Sequence, residues 1–506
     1  MFKNHPKGLL AASLANMGER FGFYTMMAIL SLFLMAKFGL SETKAGIIYS
    51  IFYFSIYILA FVGGLIADKT RKYKSTILIG LILMAVGYFT IAIPTGTPVP
   101  KDQFNMFLAL TCTGLFIIAF GNGLFKGNLQ ALVGQMYDNE KYSKLRDSGF
   151  QWFYMFINVG AIFAPLAAVG VRNWWVESHG YLYKSNLPEL CHSYLAGNPV
   201  ESLPAVAAEA GYTGTDMTAF ANEYLNIFAT GFHYAFAVAI GAMAISLLIY
   251  VLNKKKFPNP ADKKARNLNS TEIEMSASEV KQRLYALFAV FAVVIFFWFS
   301  FHQNGLTLTY FAKDYTNLSS LKVNLGFTTL QGAELFQSIN PFFVVFLTPI
   351  IIAIFGWLRA RGKEPSTPRK IVIGMLIAAL AYVVMSLGSM GLPLKSEITA
   401  MGGLPDAQRV TPFLLLGTYF ILTVAELFIS PLGISFVSKV APPKLQGMMQ
   451  GLWLCATAIG NSLLFIGAIF YEKISMTGTW TIFVCACLLS MTVMLLMVRW
   501  LEKVAK

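Results

Sequence analysis

The sequence predicts an all-α integral membrane protein with twelve transmembrane helices in two six-helix halves. Of its 506 residues, 56% are hydrophobic and only 13% are charged, which is about half the charged share of a typical soluble domain. The apolar residues also come in runs of about 20, the length that an α-helix needs to cross a bilayer. These observations exclude a disordered chain, a disulfide-stapled domain and an ordinary soluble enzyme.

The apolar runs predict the spans in order along the chain. The first run carries Glu19-Arg20 and is too long for a cleaved signal peptide. A long outer segment, 170–228, separates the fifth span from the sixth, and a polar segment, 253–282, separates the sixth from the seventh. The predicted spans are 12–36, 45–67, 76–94, 107–127, 148–169, 231–252, 284–312, 334–357, 371–390, 412–437, 447–470 and 479–499.

The net charge of +14 reflects membrane topology. Basic residues cluster after spans 2, 4, 6 and 8, and these four segments share one side of the membrane. The positive-inside rule assigns that side to the cytoplasm, so we expect both termini to be cytoplasmic. This distribution argues against nucleic acid as a partner.

The segment 253–282 is the predicted midpoint, which divides the chain into an N-terminal half at 1–252 and a C-terminal half at 283–506. The loop GGLIADKTRK at 63–72 is weakly repeated in the second half as GWLRARGK at 356–363. This loop resembles the signature of the major facilitator superfamily, in which two parallel halves face a central cavity. For the aromatic-rich segment 170–228, an ordered cap, an interfacial belt and a partner site are all open, and we favour a structural role.

Polar residues inside the spans indicate a watery cavity, because a charge at the centre of a spanning helix costs about 2.5–3.5 kcal/mol. Arg20 and Lys126 come from the first half and Glu426 from the second, so opposite walls of opposite charge would suit a zwitterion of peptide length. A packing role through interhelical hydrogen bonds remains the alternative for each single amide. The other polar residues are Asn16, Glu19, Tyr24, Asn122, Asn158, His302, Gln303, Gln337, Asn340 and Ser430.

Six motifs in register with the spans resemble those of the proton-dependent oligopeptide transporter family (POT, or PTR) of the major facilitator superfamily. NMGERFGFY at 16–24 is similar to the family's Glu-x-x-Glu-Arg-Phe-x-Tyr-Tyr motif, and FYMFINVGA at 153–161 to its Phe-Tyr-x-x-Ile-Asn-x-Gly signature. The other four are FGNGLFKGN at 120–128, QSINP at 337–341, AELFISP at 425–431 and GMMQGLW at 447–453.

The resemblance implies the major facilitator fold and a proton-coupled symporter that imports di- and tripeptides by alternating access. It implies that the peptide carboxylate faces Arg20 and Lys126 and that the amino end faces Glu426. It further implies a monomer in the lipid bilayer of a bacterial inner membrane. The substrate-binding residues that follow from it are Arg20, Tyr24, Tyr57, Lys126, Asn158, Asn340, Glu426, Ser430 and Trp453.

Proton coupling is where the sequence departs from the family pattern. Asn16 replaces the first glutamate of the motif in span 1, and His302 stands where bacterial members commonly place a glutamate. Glu19 and Glu426 remain as proton carriers, and His302 could titrate near neutral pH, since a free imidazole has a pKa of about 6.5. A core histidine satisfied by a neighbour is the alternative.

Two other functions stay open at this point. A transporter of the same fold could carry another small solute, an anion or a drug-like molecule, with altered or absent proton coupling. A membrane sensor or enzyme would need a nucleophile with its base, a metal cluster or a phosphate-binding loop, and the sequence offers none at catalytic spacing. We therefore expect no enzyme activity, no metal and no cofactor.

Overall fold

The computed structural model of the chain describes residues 5–70, 72–137, 140–142, 146–258, 276–442 and 446–504. Within that part, twelve helical stretches are long and apolar enough to cross a membrane. The predicted all-α membrane architecture with twelve spans is therefore confirmed.

The first six spans are formed by six long helices, and two short helices precede the last of them. The helix α1 ends at Gly39, whose φ of 61° suits glycine and whose N–H donates to Met35 O at 2.9 Å. The elements are α1 (Leu9–Phe38), α2 (Glu42–Thr70), α3 (Tyr73–Ala92), α4 (Phe104–Met136), α5 (Arg146–Ser178), α6 (Leu187–Leu195), α7 (Leu203–Glu209) and α8 (Met217–Asn253).

The second group of spans contains two broken helices and a short hairpin. Its helices are α9 (Ala277–Phe301), α10 (Thr307–Tyr315), α11 (Ile339–Ala360), α12 (Thr367–Gly388), α13 (Lys395–Met401), α14 (Pro412–Val440), α15 (Gln446–Ser462), α16 (Phe465–Lys473) and α17 (Met476–Val504). The strands β1 (Val323–Asn324) and β2 (Thr329–Leu330) pair antiparallel between α10 and α11. Single 3₁₀ turns occupy His302–Gly305 and Ala333–Ser338.

The long helices pack as two groups of six spans. Helices α1–α5 and α8 contact mainly one another, and in the second group α12 packs against α14 and α17, and α9 against α15 and α17. The two groups meet through α2 against α15 and α16, and through α5 against α11. The predicted division at 253–282 falls largely on 259–275, which lie outside the described residues, so those boundaries stay a prediction.

The predicted outer loop 170–228 is largely helical, which corrects the bounds of spans 5 and 6. Helix α5 continues to Ser178, α6 and α7 follow, and α8 begins at Met217. Asp216 starts α8 by accepting hydrogen bonds from Thr218 N and Ala219 N, both at 3.0 Å. Apolar runs underestimate the lengths of such helices, because the helices continue beyond the apolar run. In this continuation of α8, Phe220 and Tyr224 are buried.

The short helices α6 and α7 form a cap, which also contacts α13 and the residue after it in the second half. Asn186 Nδ2 donates to Gly402 O at 2.5 Å, and Glu189 pairs with Lys395 at 2.9 Å. Nearby, the buried Arg172 at the end of α5 pairs with the buried Glu334 of the second half. On the side that the sequence predicts to face outward, the ends of the two halves are therefore joined by hydrogen bonds and ion pairs.

Spans 7 and 11 are broken rather than continuous, which corrects the sequence prediction for both. Span 7 is interrupted by the 3₁₀ turn His302–Gly305, and span 11 by residues 463–464. Gln303 from the first break donates its Nε2 to Leu464 O in the second, at 3.2 Å. The first break thus supplies a side-chain donor to a backbone carbonyl at the second break.

Candidate functional site

A polar cavity of about 260 Å³ lies between the two halves. Helices α1, α2, α4 and α5 supply one wall, and the opposite wall comes from α9, the following 3₁₀ turn, α11 and α14. The predicted site residues that line the cavity are Tyr24, Tyr57, Lys126, Asn158, His302, Asn340, Glu426 and Ser430.

Lys126 presents a positive charge to the cavity. It lies on α4, and its Nζ sits 4.7 Å from the centre of the Tyr57 ring. Such a contact stabilises a cation without neutralising it. Among the residues that the structure describes, no carboxylate forms an ion pair with Lys126, so its charge remains available to an anionic group.

Glu426 presents a negative charge from the opposite half. Its Oε2 accepts a hydrogen bond from Asn340 Nδ2 at 2.9 Å, and the same Nδ2 lies 3.0 Å from Thr423 Oγ1. This amide orients the carboxylate but carries no charge to balance it. Within the described chain, Glu426 has no cationic partner.

Glu19 and Arg20 form a buried ion pair beside the cavity instead of lining it. Arg20 Nε and Nη2 donate to the two carboxylate oxygens of Glu19 at 2.5 and 2.6 Å. Asn122 Nδ2 donates to Glu19 Oε1 at 2.7 Å, and the Arg20 guanidinium stacks on Phe23 at 4.6 Å. Arg20 is therefore neutralised in this conformation, which the spacing along α1 did not predict.

A stripe of tyrosines on α2 lines the cavity, and sequence reasoning selected only Tyr57 from it and missed Tyr49 and Tyr53. Tyr49, Tyr53 and Tyr57 recur every four residues, so they share one helix face. The ring centres are 5.8 Å apart for the first pair and 5.7 Å for the second. Their spacing was the available signal. Tyr154 and Tyr419 extend this aromatic lining from α5 and α14.

His302 sits between two aromatic rings at the break in span 7. The Tyr53 and Trp298 ring centres are each 4.9 Å from the imidazole. His302 Nδ1 lies 2.5 Å from Oδ1 of the fully buried Asn461 on α15. The sequence reasoning did not select Asn461, although a polar residue inside span 11 was the same signal that selected Asn340.

Two further site residues differ in how they meet the cavity. Asn158 lines it while donating its Nδ2 to Tyr154 O, one turn earlier, at 3.1 Å. Trp453 lies behind the wall, where it is buried against Phe291 and beside Gly433, a position that leaves no room for a Cβ. A binding role for Trp453 stays a prediction.

The cavity can therefore hold a small zwitterion, with Lys126 for its anionic end, Glu426 for its cationic end and tyrosines for its body. Charge-assisted hydrogen bonds at both ends would supply most of the affinity. The volume of about 260 Å³ lies just below the usual range for ligand pockets, about 300–1,000 Å³. Among the described residues, no three His, Cys, Asp or Glu side chains are placed to hold a metal ion.

The model of the POT family matches residues 74–271 and 261–482 of this sequence. The chain belongs to the POT family. This membership confirms the resemblance that the six motifs indicated, and it places the twelve spans in a multi-pass membrane protein.

Two curated relatives are similar to this POT-family chain over most of its length. The "Peptide transporter YePEPT" of Yersinia enterocolitica subsp. palearctica is 28% identical over 481 residues, which cover 91% of this chain and 87% of that protein. The "Di-/tripeptide transporter" of Lactococcus lactis subsp. cremoris is 27% identical over 484 residues, with 91% and 89% covered. These relatives are named as transporters, in agreement with the prediction that the chain is not an enzyme.

Solved structures show the same fold. A crystal structure of the peptide transporter POT in complex with sulfate matches with a TM-score of 0.72 at 23% identity, covering 100% of this chain and 96% of that one. A POT family transporter in complex with 5-aminolevulinic acid matches with a TM-score of 0.70 at 21% identity, covering 100% and 98%. The predicted major facilitator fold is thereby confirmed.

Proposed function

We propose that this POT-family protein is a symporter that imports di- and tripeptides together with protons by alternating access. The observation that carries the proposal is a pair of charges, Lys126 on one wall and Glu426 on the other, that have no oppositely charged partner in the described part of the chain. The names of the curated relatives, which include peptide and di-/tripeptide transporters, support the same cargo. The protein would act as a monomer in the inner membrane of a bacterium, with both termini in the cytoplasm.

In this proposal the peptide carboxylate binds Lys126 and the amino group binds Glu426. Asn158, Asn340 and Ser430 contact the peptide backbone. The backbone of a peptide is the same whatever its side chains, so tyrosines such as Tyr24 and Tyr57 can accept many different ones. Arg20 joins the carboxylate site only when Glu19 releases it, since the two are paired in the described conformation.

In this proposal, protonation changes the ion pairs and hydrogen bonds that the carboxylates of the site make when no peptide is bound. Protonation of Glu19 would free Arg20 for the peptide carboxylate, and protonation of Glu426 would weaken its hold on the amino group. His302 is the third candidate carrier. One proton crossing a potential of 100 mV gains about 2.3 kcal/mol, enough for about 40-fold accumulation of a net-neutral peptide.

Uptake of labelled dialanine by proteoliposomes with an imposed pH gradient tests the proposal. We expect the gradient to accelerate uptake and to concentrate the peptide, and a protonophore to abolish both effects. Uptake of dialanine at equal rates with and without the gradient would argue for a peptide carrier without coupling. No dialanine uptake, combined with transport of an anion or a drug-like solute, would instead favour the alternative cargo.

A further inference from the structure

Asn461 is a buried polar residue that the proposed transport cycle leaves without a role. It lies on α15, one position before the last residue of that helix, and its side chain is fully buried. Its Oδ1 contacts His302 Nδ1 at 2.5 Å, whereas its Nδ2 has no hydrogen-bond partner among the described residues. The amide is therefore placed for the imidazole alone.

Close packing of α15 against α9 brings the side chains of Asn461 and His302 together. A Cβ on Gly460 would lie 2.8 Å from Ile295 O and 2.8 Å from the Trp298 Cβ, so glycine is what lets α15 approach α9 closely. The neighbouring residue, Asn461, then reaches across to the first residue of the 3₁₀ turn in span 7. The contact joins the breaks of both spans.

We infer that Asn461 is a positioning residue for His302, holding the neutral imidazole in the tautomer that carries its proton on Nδ1. The amide oxygen can only accept a hydrogen bond, so the ring nitrogen that faces it must donate. The lone pair is then on Nε2, at the other side of a ring that lines the cavity. Nε2 is the atom that accepts the transported proton, a role that rests on the proposed function.

The packing around the ring keeps this orientation. Trp298 stacks on the imidazole with an interplanar angle of 22°, and Tyr53 covers it at 43°. Tilting the ring out of its plane would break these contacts, whereas a half-turn within that plane would break the bond to Asn461. The titratable groups that line the same cavity from other helices are Tyr24, Tyr49, Tyr53, Tyr57, Lys126, Tyr154, Tyr419 and Glu426.

Two variants separate positioning from packing. Asn461→Leu keeps the size of the side chain but removes the acceptor. Asn461→Asp keeps the acceptor and adds a negative charge. Ser462→Ala is the matched control, because its hydroxyl donates to Ile459 O on the same helix at 2.7 Å and does not contact His302. Elution as a single peak in size-exclusion chromatography checks that each variant folds.

We expect Asn461→Leu to lose acceleration of dialanine uptake by a proton gradient, to the level of His302→Gln, while counterflow at fixed pH persists. Combined with His302→Gln, it should cause no further loss, since it acts through that ring. Asn461→Asp should keep the acceleration but shift its pH profile upward by about one unit or more, because a nearby carboxylate favours the imidazolium. Additive losses in the double variant, or equal losses of counterflow and acceleration, would overturn the inference.

The tautomer itself can be measured without transport. Nitrogen NMR of protein labelled at its five histidines, with His302→Gln as the assignment reference, distinguishes a proton on Nδ1 from one on Nε2. We expect Nδ1–H in the unmodified protein and a shift toward Nε2–H in Asn461→Leu. An unchanged spectrum would refute the positioning role even if uptake is proton-coupled. Uncoupled uptake with the expected spectra would refute only the proposed function.

Discussion

Lys126 and Glu426 are charged side chains of the cavity that have no oppositely charged partner among the described residues. Both lie at membrane depth, where an unpaired charge costs several kcal/mol. The cation–π contact of Lys126 with Tyr57 and the amide of Asn340 at Glu426 offset only part of that cost. A zwitterionic ligand that pairs with both would offset more of it.

Glu426→Gln should weaken binding of peptides more than binding of des-amino analogues. Removing one partner of a buried charge pair costs about 2–5 kcal/mol, and only a ligand with an amino group makes that pair. Competition against labelled dialanine measures both affinities. Glu201→Gln, at an exposed position on the outer side, is the control. Equal loss for a peptide and its des-amino analogue would remove Glu426 from the amino-end site.

Lys126→Ala should abolish gradient-driven uptake. The substitution removes a cation that lines the cavity and leaves Arg20, which Glu19 already neutralises, as the remaining cation of the predicted site. Initial rates in proteoliposomes measure the effect, with the exposed Lys101→Ala as the control. A rate within about twofold of the unmodified protein, the scale of a neutral surface change, would mean that Lys126 only packs a helix interface.

His302→Gln should preserve counterflow of peptide at fixed pH and lose acceleration by an inward proton gradient. A glutamine cannot take up a proton, but it can still accept or donate hydrogen bonds at the same place. The two assays use the same proteoliposomes. If both fall in proportion, His302 is a structural residue, and if acceleration survives, Glu19 and Glu426 are the carriers.

At the scale of the elements, the cap α6–α7 joins the outer ends of the two halves. Its Glu189 belongs to an outer ion cluster together with Glu42, Lys313, Asp314 and Lys395, whose ion pairs range from 2.9 to 3.5 Å. Alternating access requires these ends to separate, so we expect the cap to release these contacts in each cycle. The chain thus holds the side that is predicted to face outward closed partly through an element that does not span the membrane.

Loss of the cap contacts should increase the population that is open to the outside. The variant Asn186→Ala with Glu189→Gln removes the bonds to Gly402 and Lys395 while leaving the cavity intact. Pulsed electron resonance distances between spin labels at the exposed Ala208 and Ala407, with the native cysteines replaced, measure the separation. Longer distances are expected in this variant and not in Glu201→Gln. Unchanged distances would mean that other contacts hold the outer side.

The contribution of Glu189 to this closure should not change between pH 8 and pH 5. Burial by itself would raise the pKa of Glu189, but Lys395 and Lys313 outweigh burial and lower the pKa below its usual range. A carboxylate with a depressed pKa contributes stability above its unfolded pKa, about 4.3, and loses it only as the pH falls through the lower folded value. The same spin-label distances, recorded across this pH range in the unmodified protein and in Glu189→Gln, should therefore differ by a constant amount. A difference that disappears near pH 5–6 would contradict the prediction.

At the scale of the whole molecule, the proposed symport of one proton with a net-neutral peptide moves charge across the membrane. An inside-negative potassium diffusion potential of about 100 mV at equal pH should therefore accumulate dialanine about 40-fold. Equilibrium uptake with and without valinomycin measures this. Accumulation driven by the pH gradient alone, with no response to the potential, would mean that the cycle is electroneutral.

The sequence alone determined the membrane class, the number of spans, the family and most of the charged and amide residues that line the cavity. Long apolar runs suit a bilayer, and a charge at membrane depth is costly unless it faces a cavity or a partner, so both features can be recognised from the sequence. Tyr24, Lys126, Asn158, Asn340 and Glu426 all came from that reasoning, and all line one cavity.

Only the tertiary structure decided how these residues are partnered. The pairing of Glu19 with Arg20 and Asn122, and of His302 with Asn461, depends on which helices touch and at what depth. The helical cap at 170–228 and the breaks in spans 7 and 11 were also outside the reach of hydropathy. A hydropathy pattern records the solvent around each segment, whereas these features depend on hydrogen bonds between residues that are far apart in the chain.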